Sequence, residues 1–197
     1  MTGVKRTRRG VVVSFDEVEA SLLRHLVGEV RDLLADGEPL PSPAGGTGGV
    51  PSDAELSALT GLGTDLGRDL GGETESPTVP SDPALARLLP DAYRDDDEAA
   101  GEFRRLTESS LRRDKVNAAE RLLAALPGDG AGEVRLDPET TESWLSTIND
   151  VRLALGTRLE VTEEMAEPDP EDPDAPAYVV YLWLTELQGV LIEVADD

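Results

Sequence analysis

Apolar residues recur along this chain with two different periods, and the period assigns the elements. Residues Gly10–Phe15 read GVVVSF, a β-branched run of strand length. Asp16 can then cap a helix, because Leu22, Leu26, Val30 and Leu33 return every three or four residues, with Leu23, Val27 and Leu34 widening the stripe. The helix should run to about Ala35, where Gly37 and Pro39 stop it. Ser81-Asp82-Pro83 is a second start signal, and Pro90 ends the short helix Ala84–Leu89. Asp95–Glu98 then places acids at the positive end of a longer helix.

That longer helix carries two apolar faces. Phe103 and Leu106 mark one, while Val116, Ala119, Leu123 and Leu126 mark another, rotated by roughly 160° at 100° per residue. A break or kink near Ser109–Asp114 would reconcile them. After a turn at Pro127–Gly132, Glu133–Leu136 (EVRL) suits a strand. It should pair with Val11–Phe15, because an isolated strand leaves its backbone groups unsatisfied. Another helix begins near Pro138, with Trp144, Ile148, Val151, Leu155 and Leu159 on one stripe and Gly156 as a point of interruption. The last element, Ala177–Val194, places Val180, Leu184, Leu187, Leu191 and Val194 at helical spacing, with Trp183 beside them. It is apolar almost all round, which predicts a helix at the centre of the core. The expected fold is mainly α: a bundle of about five or six helices with at most a small two-stranded β-ribbon.

Between Gly37 and Pro80 lie ten Gly and six Pro in 44 residues, too little apolar material to offset the entropy of ordering. Within it, Ser52–Leu59 (SDAELSAL) reads as a cap and a short helix. The expected organisation is a flexible basic arm at 1–9 and a single helical domain at 10–197. The stretch 37–80 is a largely flexible insertion in that domain. Glu160–Asp174, with eight acids, three Pro and no base, reads as a solvated linker.

Composition narrows the function. The net charge is −23, from 41 acids against 18 bases. Nucleic-acid affinity comes largely from bases that neutralise phosphates, so direct DNA binding by the chain alone is disfavoured. The same field opposes anionic lipid surfaces and favours partners with basic patches. Without Cys there is no disulfide, no thiol chemistry and no Cys-ligated metal. No stretch is expected to reach the ~20 apolar residues that span a bilayer, and Val11–Val13 is too short for a signal-peptide core. The expected location is the cytoplasm.

No catalytic, cofactor-binding or metal-ligating set emerges, and the chain is not expected to be an enzyme. The glycines lack the Lys and the strand–turn–helix context of a phosphate loop. His25 is the only histidine and fits a structural position. Asp95-Asp96-Asp97-Glu98 lacks the spacers and glycine of a cation loop. Two features remain as a candidate interface. Residues Glu102–Arg121 hold six bases against four acids, including Arg104, Arg105, Arg112 and Arg113. Just before them, Tyr93 and Arg94 form a pair of residue types enriched at protein contacts.

The segments LLPDAYRDDDEAAGEFRRLTESSLRRDK and WLSTINDVRLALGTRL resemble an actinobacterial family of domains of unknown function, encoded beside the Clp protease adaptor. That family includes the AosR-type oxidative-stress transcriptional regulators, and the resemblance covers most of the chain. It implies a transcription-associated regulator whose partner is a sigma factor or RNA polymerase. The gene neighbourhood implies the alternative, an adaptor or accessory factor in Clp-type regulated proteolysis with Clp components as partners. A thiol switch cannot operate in a chain without Cys. A dimer is compatible with either role.

Overall fold

The computed structural model describes residues 2–35, 80–90, 92, 96–128, 130–162 and 171–196. Among these, three strands are formed: β1 (Gly3–Thr7), β2 (Gly10–Phe15) and β3 (Gly132–Leu136). Five helices accompany them: α1 (Glu17–Leu34), α2 (Pro83–Leu88), α3 (Asp97–Ala125), α4 (Pro138–Arg158) and α5 (Ala175–Asp196). The fold is therefore mainly α. Most of the tract expected as an insertion, including Ser52–Leu59, lies outside the described residues, as does most of the acidic linker.

The sheet is antiparallel in the order β1-β2-β3, with Val13 flanked by Val4 and Val134. This corrects the expected two-stranded ribbon. The third strand comes from within the segment expected as a basic arm, and contacts remote in sequence hold it there. Arg6 donates from its guanidinium to the carbonyls of Val194 (3.1 Å) and Ala195 (3.2 Å) at the end of α5, where the helix leaves acceptors unpaired. The hairpin closes at Gly10, whose φ of +128° favours glycine. A Cβ there would lie 2.0 Å from the Leu136 carbonyl oxygen, so the crowding of β3 reinforces the requirement.

Strand alternation sends Val11, Val13, Phe15, Val134 and Leu136 inward, where Phe15 meets Trp144 with ring centroids 6.1 Å apart. Each of four helices starts on an aspartate. Asp16, Asp82, Asp96 and Asp137 accept from the backbone N–H groups of Glu19, Leu85, Ala99 and Thr140 at 2.8–3.0 Å. Glu19 completes a capping box by accepting from the Asp16 N–H.

Two helix expectations are corrected. The core's centre is α4, which packs against each of the other four helices and buries Trp144, Ile148, Val151, Ala154 and Leu155. α5 instead buries one stripe, Ala177, Val180, Leu184, Leu187 and Leu191, and turns other apolar residues outward. By length and composition α5 is also apolar enough to cross a membrane, contrary to the expectation that no stretch would be; its packed stripe accounts for part of that apolarity. The second correction concerns α3, which runs unbroken through Ser109–Asp114 for 29 residues.

Candidate protein-contact surface

Because α3 does not bend, only one of its two apolar faces can meet the core. The C-terminal set wins: Ala119, Leu122 and Leu126 are buried, with Val116 and Leu123 half-buried beside them. Phe103 and Leu106, on the other phase, are left 41% and 74% exposed, and Leu111 is 39% exposed. The conflict of phase in the sequence thus marks an apolar patch in water rather than a kink.

The bases of α3 divide in the same way. Arg104 is buried, and its Nε lies 4.0 Å from Glu108. Arg112 donates from Nε to Glu108 Oε1 at 2.9 Å and from a terminal nitrogen to the Leu34 carbonyl at 3.3 Å. The ladder Arg104–Glu108–Arg112 therefore follows the i, i+4 spacing along the inward side and ties α3 to the end of α1. One turn on, Lys115 donates to Asp150 of α4 at 2.6 Å. Burial pushes the Asp150 carboxyl above its ordinary range, an effect that Lys115 opposes. Arg121 donates to the Ser143 hydroxyl at 3.3 Å.

Arg105 and Arg113 are different: both are exposed, Arg113 on the same outer side as Leu106 and Arg105 about 100° around the helix from it. Leu106 and Arg113 stand seven residues apart, within about 20° of one line along the helix. Beside this face, Leu89 and Pro90 after α2 form a shallow groove with Phe103 and Leu111, floored by Arg104 and Glu108. An exposed leucine in line with an exposed arginine can desolvate against an apolar side chain while the guanidinium group meets a carboxylate.

The structure thus separates the six residues of the expected interface. Arg105 and Arg113 remain available, whereas Arg104 and Arg112 serve α3's inward contacts. Tyr93 and Arg94 lie outside the described residues. The apolar half of the surface, Phe103, Leu106 and Leu111, was absent from the candidate set. Its signal was the phase mismatch between the two halves of α3. His25 sits buried with the apolar side chains of α1, and no group of three metal-ligating side chains occurs among the described residues.

Residues 1–195 match the family model described as "Domain of unknown function (DUF2017)". The chain is 36% identical over 190 residues to the oxidative stress regulator AosR of Mycobacterium tuberculosis, covering 89% of this chain and 78% of that protein. The protein of the same name from Mycobacterium bovis gives the same figures. A putative oxidative stress regulator AosR of Mycobacterium leprae is 34% identical over 188 residues, covering 88% of this chain and 77% of its own length. No solved structure matches the chain.

Proposed function

The chain belongs to the DUF2017 family, and from that premise we propose that it is a transcription-associated regulator of an oxidative-stress response, acting through protein–protein contacts. The observation that carries the mechanism is the outer face of α3, where Leu106 is 74% exposed on the side that also presents the exposed Arg113. The regulatory role is supported by the names of the mycobacterial relatives. The net charge of −23 directs the protein toward a sigma factor or polymerase subunit rather than toward DNA on its own. It works in the cytoplasm and catalyses no reaction. With no Cys in 197 residues, its state cannot be set by a disulfide within the chain, so a change in abundance or in the partner carries the signal.

Capture from the native cytoplasm with the tagged full chain tests this. Sigma or polymerase subunits should be retained by the wild type. Leu106→Asp combined with Arg113→Glu should reduce retention about tenfold or more, the loss typical of a contact hot spot. Exposed substitutions alter stability by no more than about 0.5 kcal/mol, so the melting midpoint should stay within about 2 °C. Unchanged retention would move the contact elsewhere, and retention of Clp components alone would replace the transcriptional reading with the proteolytic one.

A further inference from the structure

β1 is an outer strand of the sheet and pairs on one side only, with β2. Among the described residues no hydrogen bond reaches the backbone of its other edge. An open edge is a template for one more strand, and natural sheets guard it with charge or cover. This one is charged. Residues 1–15 carry Lys5, Arg6, Arg8 and Arg9 and no acid, on a chain of net charge −23. Locally, then, the sign of the whole chain is reversed.

The register sorts these bases. Val4 stands opposite the buried Val13, so Val4 and Arg6 belong to the inner side, where Arg6 meets the end of α5. Lys5 belongs to the outer side, in one row with Val12 and Arg135, and Arg8 and Arg9 form the hairpin turn beyond it. Lys5, Arg8, Arg9 and Arg135 are all exposed, and none pairs with an acid among the described residues. On the inner side, a cavity of about 70 Å³ lies between β1 and α5. Val4, Trp183, Leu187 and Val190 give it apolar walls, and Glu19 and Glu186 complete its lining, so it suits an uncharged side chain.

We propose that β1 receives an extended segment of a partner protein as a fourth strand, one that alternates apolar and acidic residues. The side chains of an added strand fall alternately on the two sides of the sheet. A residue beside Val4 is directed toward α5 and the cavity, and the next, beside Lys5, is directed outward among bases. Main-chain hydrogen bonds then supply affinity, while the cavity and the bases select the side chains. The same bases oppose a second copy at this edge, since pairing β1 with β1 gathers like charges. A nucleic acid would use the bases but neither the open edge nor the cavity. β1 shares no residue with the α3 surface, so its edge can be filled whether or not that surface binds.

Fluorescence anisotropy with the full chain and a labelled, alternating Val-Glu octapeptide tests this. The peptide should bind saturably and slow amide exchange in β1. Methylating alternate backbone nitrogens of the peptide keeps its charge but removes the donors of one edge, and should weaken binding about tenfold or more. Lys5→Glu combined with Arg8→Glu should weaken it as much by charge, with the melting midpoint preserved because both side chains are exposed. Val190→Trp should weaken it by filling the cavity. Absence of saturable binding, equal binding of the methylated peptide, or undiminished binding by the Lys5→Glu, Arg8→Glu protein overturns the proposal. So does tighter binding of a DNA duplex than of the peptide, which would assign the bases to phosphate.

Discussion

Replacing Lys115 with Met should reveal how α3 is held to α4. Lys115 and Asp150 meet at 2.6 Å, with side chains only 18% and 8% exposed. The carboxylate is therefore largely removed from water, and its main compensation is the ammonium group. Removing one partner of a buried pair typically costs about 3–5 kcal/mol, because the survivor is left as an uncompensated charge. Lys115 retains some solvent, which discounts that cost to about 2–3 kcal/mol at neutral pH. For a chain of this size that corresponds to a fall of roughly 5–10 °C in the melting midpoint. The pH dependence supplies the discriminating evidence. Asp150 already titrates above its ordinary value because of burial, so the folded state binds its proton more tightly than the unfolded state does. Its contribution to stability falls as pH rises from the ordinary carboxylate range through that raised value, and its cost is complete above it. Losing Lys115 removes the group that holds the value down, so the window widens toward neutrality and the deficit shrinks on acidification. Urea unfolding of Lys115→Met across that range measures it. Adding Asp150→Leu should recover most of the loss, since an apolar pair can replace a buried ionic one. A deficit independent of pH, or no recovery in the double variant, would refute the electrostatic account and leave only lost packing.

Two further perturbations test the frame. Leu187→Ala truncates a side chain 3% exposed on the packed stripe of α5 and should cost about 2–5 kcal/mol in urea, whereas an unchanged midpoint would mean that the stripe contributes little. Gly10→Ala imposes a side chain at φ +128°, 2.0 Å from the Leu136 carbonyl oxygen, and should cost on the order of 1–3 kcal/mol with faster amide exchange in β1.

Much of the fold was legible because its signals are local. The stripe Leu22, Leu26, Val30 and Leu33 gave α1, and Asp16 and Asp82 marked the starts of α1 and α2, since a cap acts within three residues of itself. β1 was not legible. Its run GVKRT has a weak strand pattern, and its place depends on Arg6 reaching carbonyls 188 and 189 residues away. The candidate surface was read in part. Clustered arginines are visible in any sequence, but Arg104 and Arg112 were spent on Glu108 and Leu34 while Arg105 and Arg113 were not.

By itself the sequence determined which segments are helical, where four of them begin, the acidity of the whole and the exclusion of thiol chemistry. Each of these depends on residue identity or on neighbours within a turn. Only the tertiary structure decided which face of a helix meets the core. α5 is apolar nearly all round, so its pattern could not choose a side; packing on α4 buried Leu184 and Leu191 and left Leu182 and Ile192 outside. α3 offered two incompatible faces, and the choice fell to the one bearing Ala119 and Leu122, where α1 and α4 already stood. The physical reason is the same in both cases. Hydrophobic burial is non-directional, so a helix with more than one apolar face is oriented by whichever surface is there to receive it.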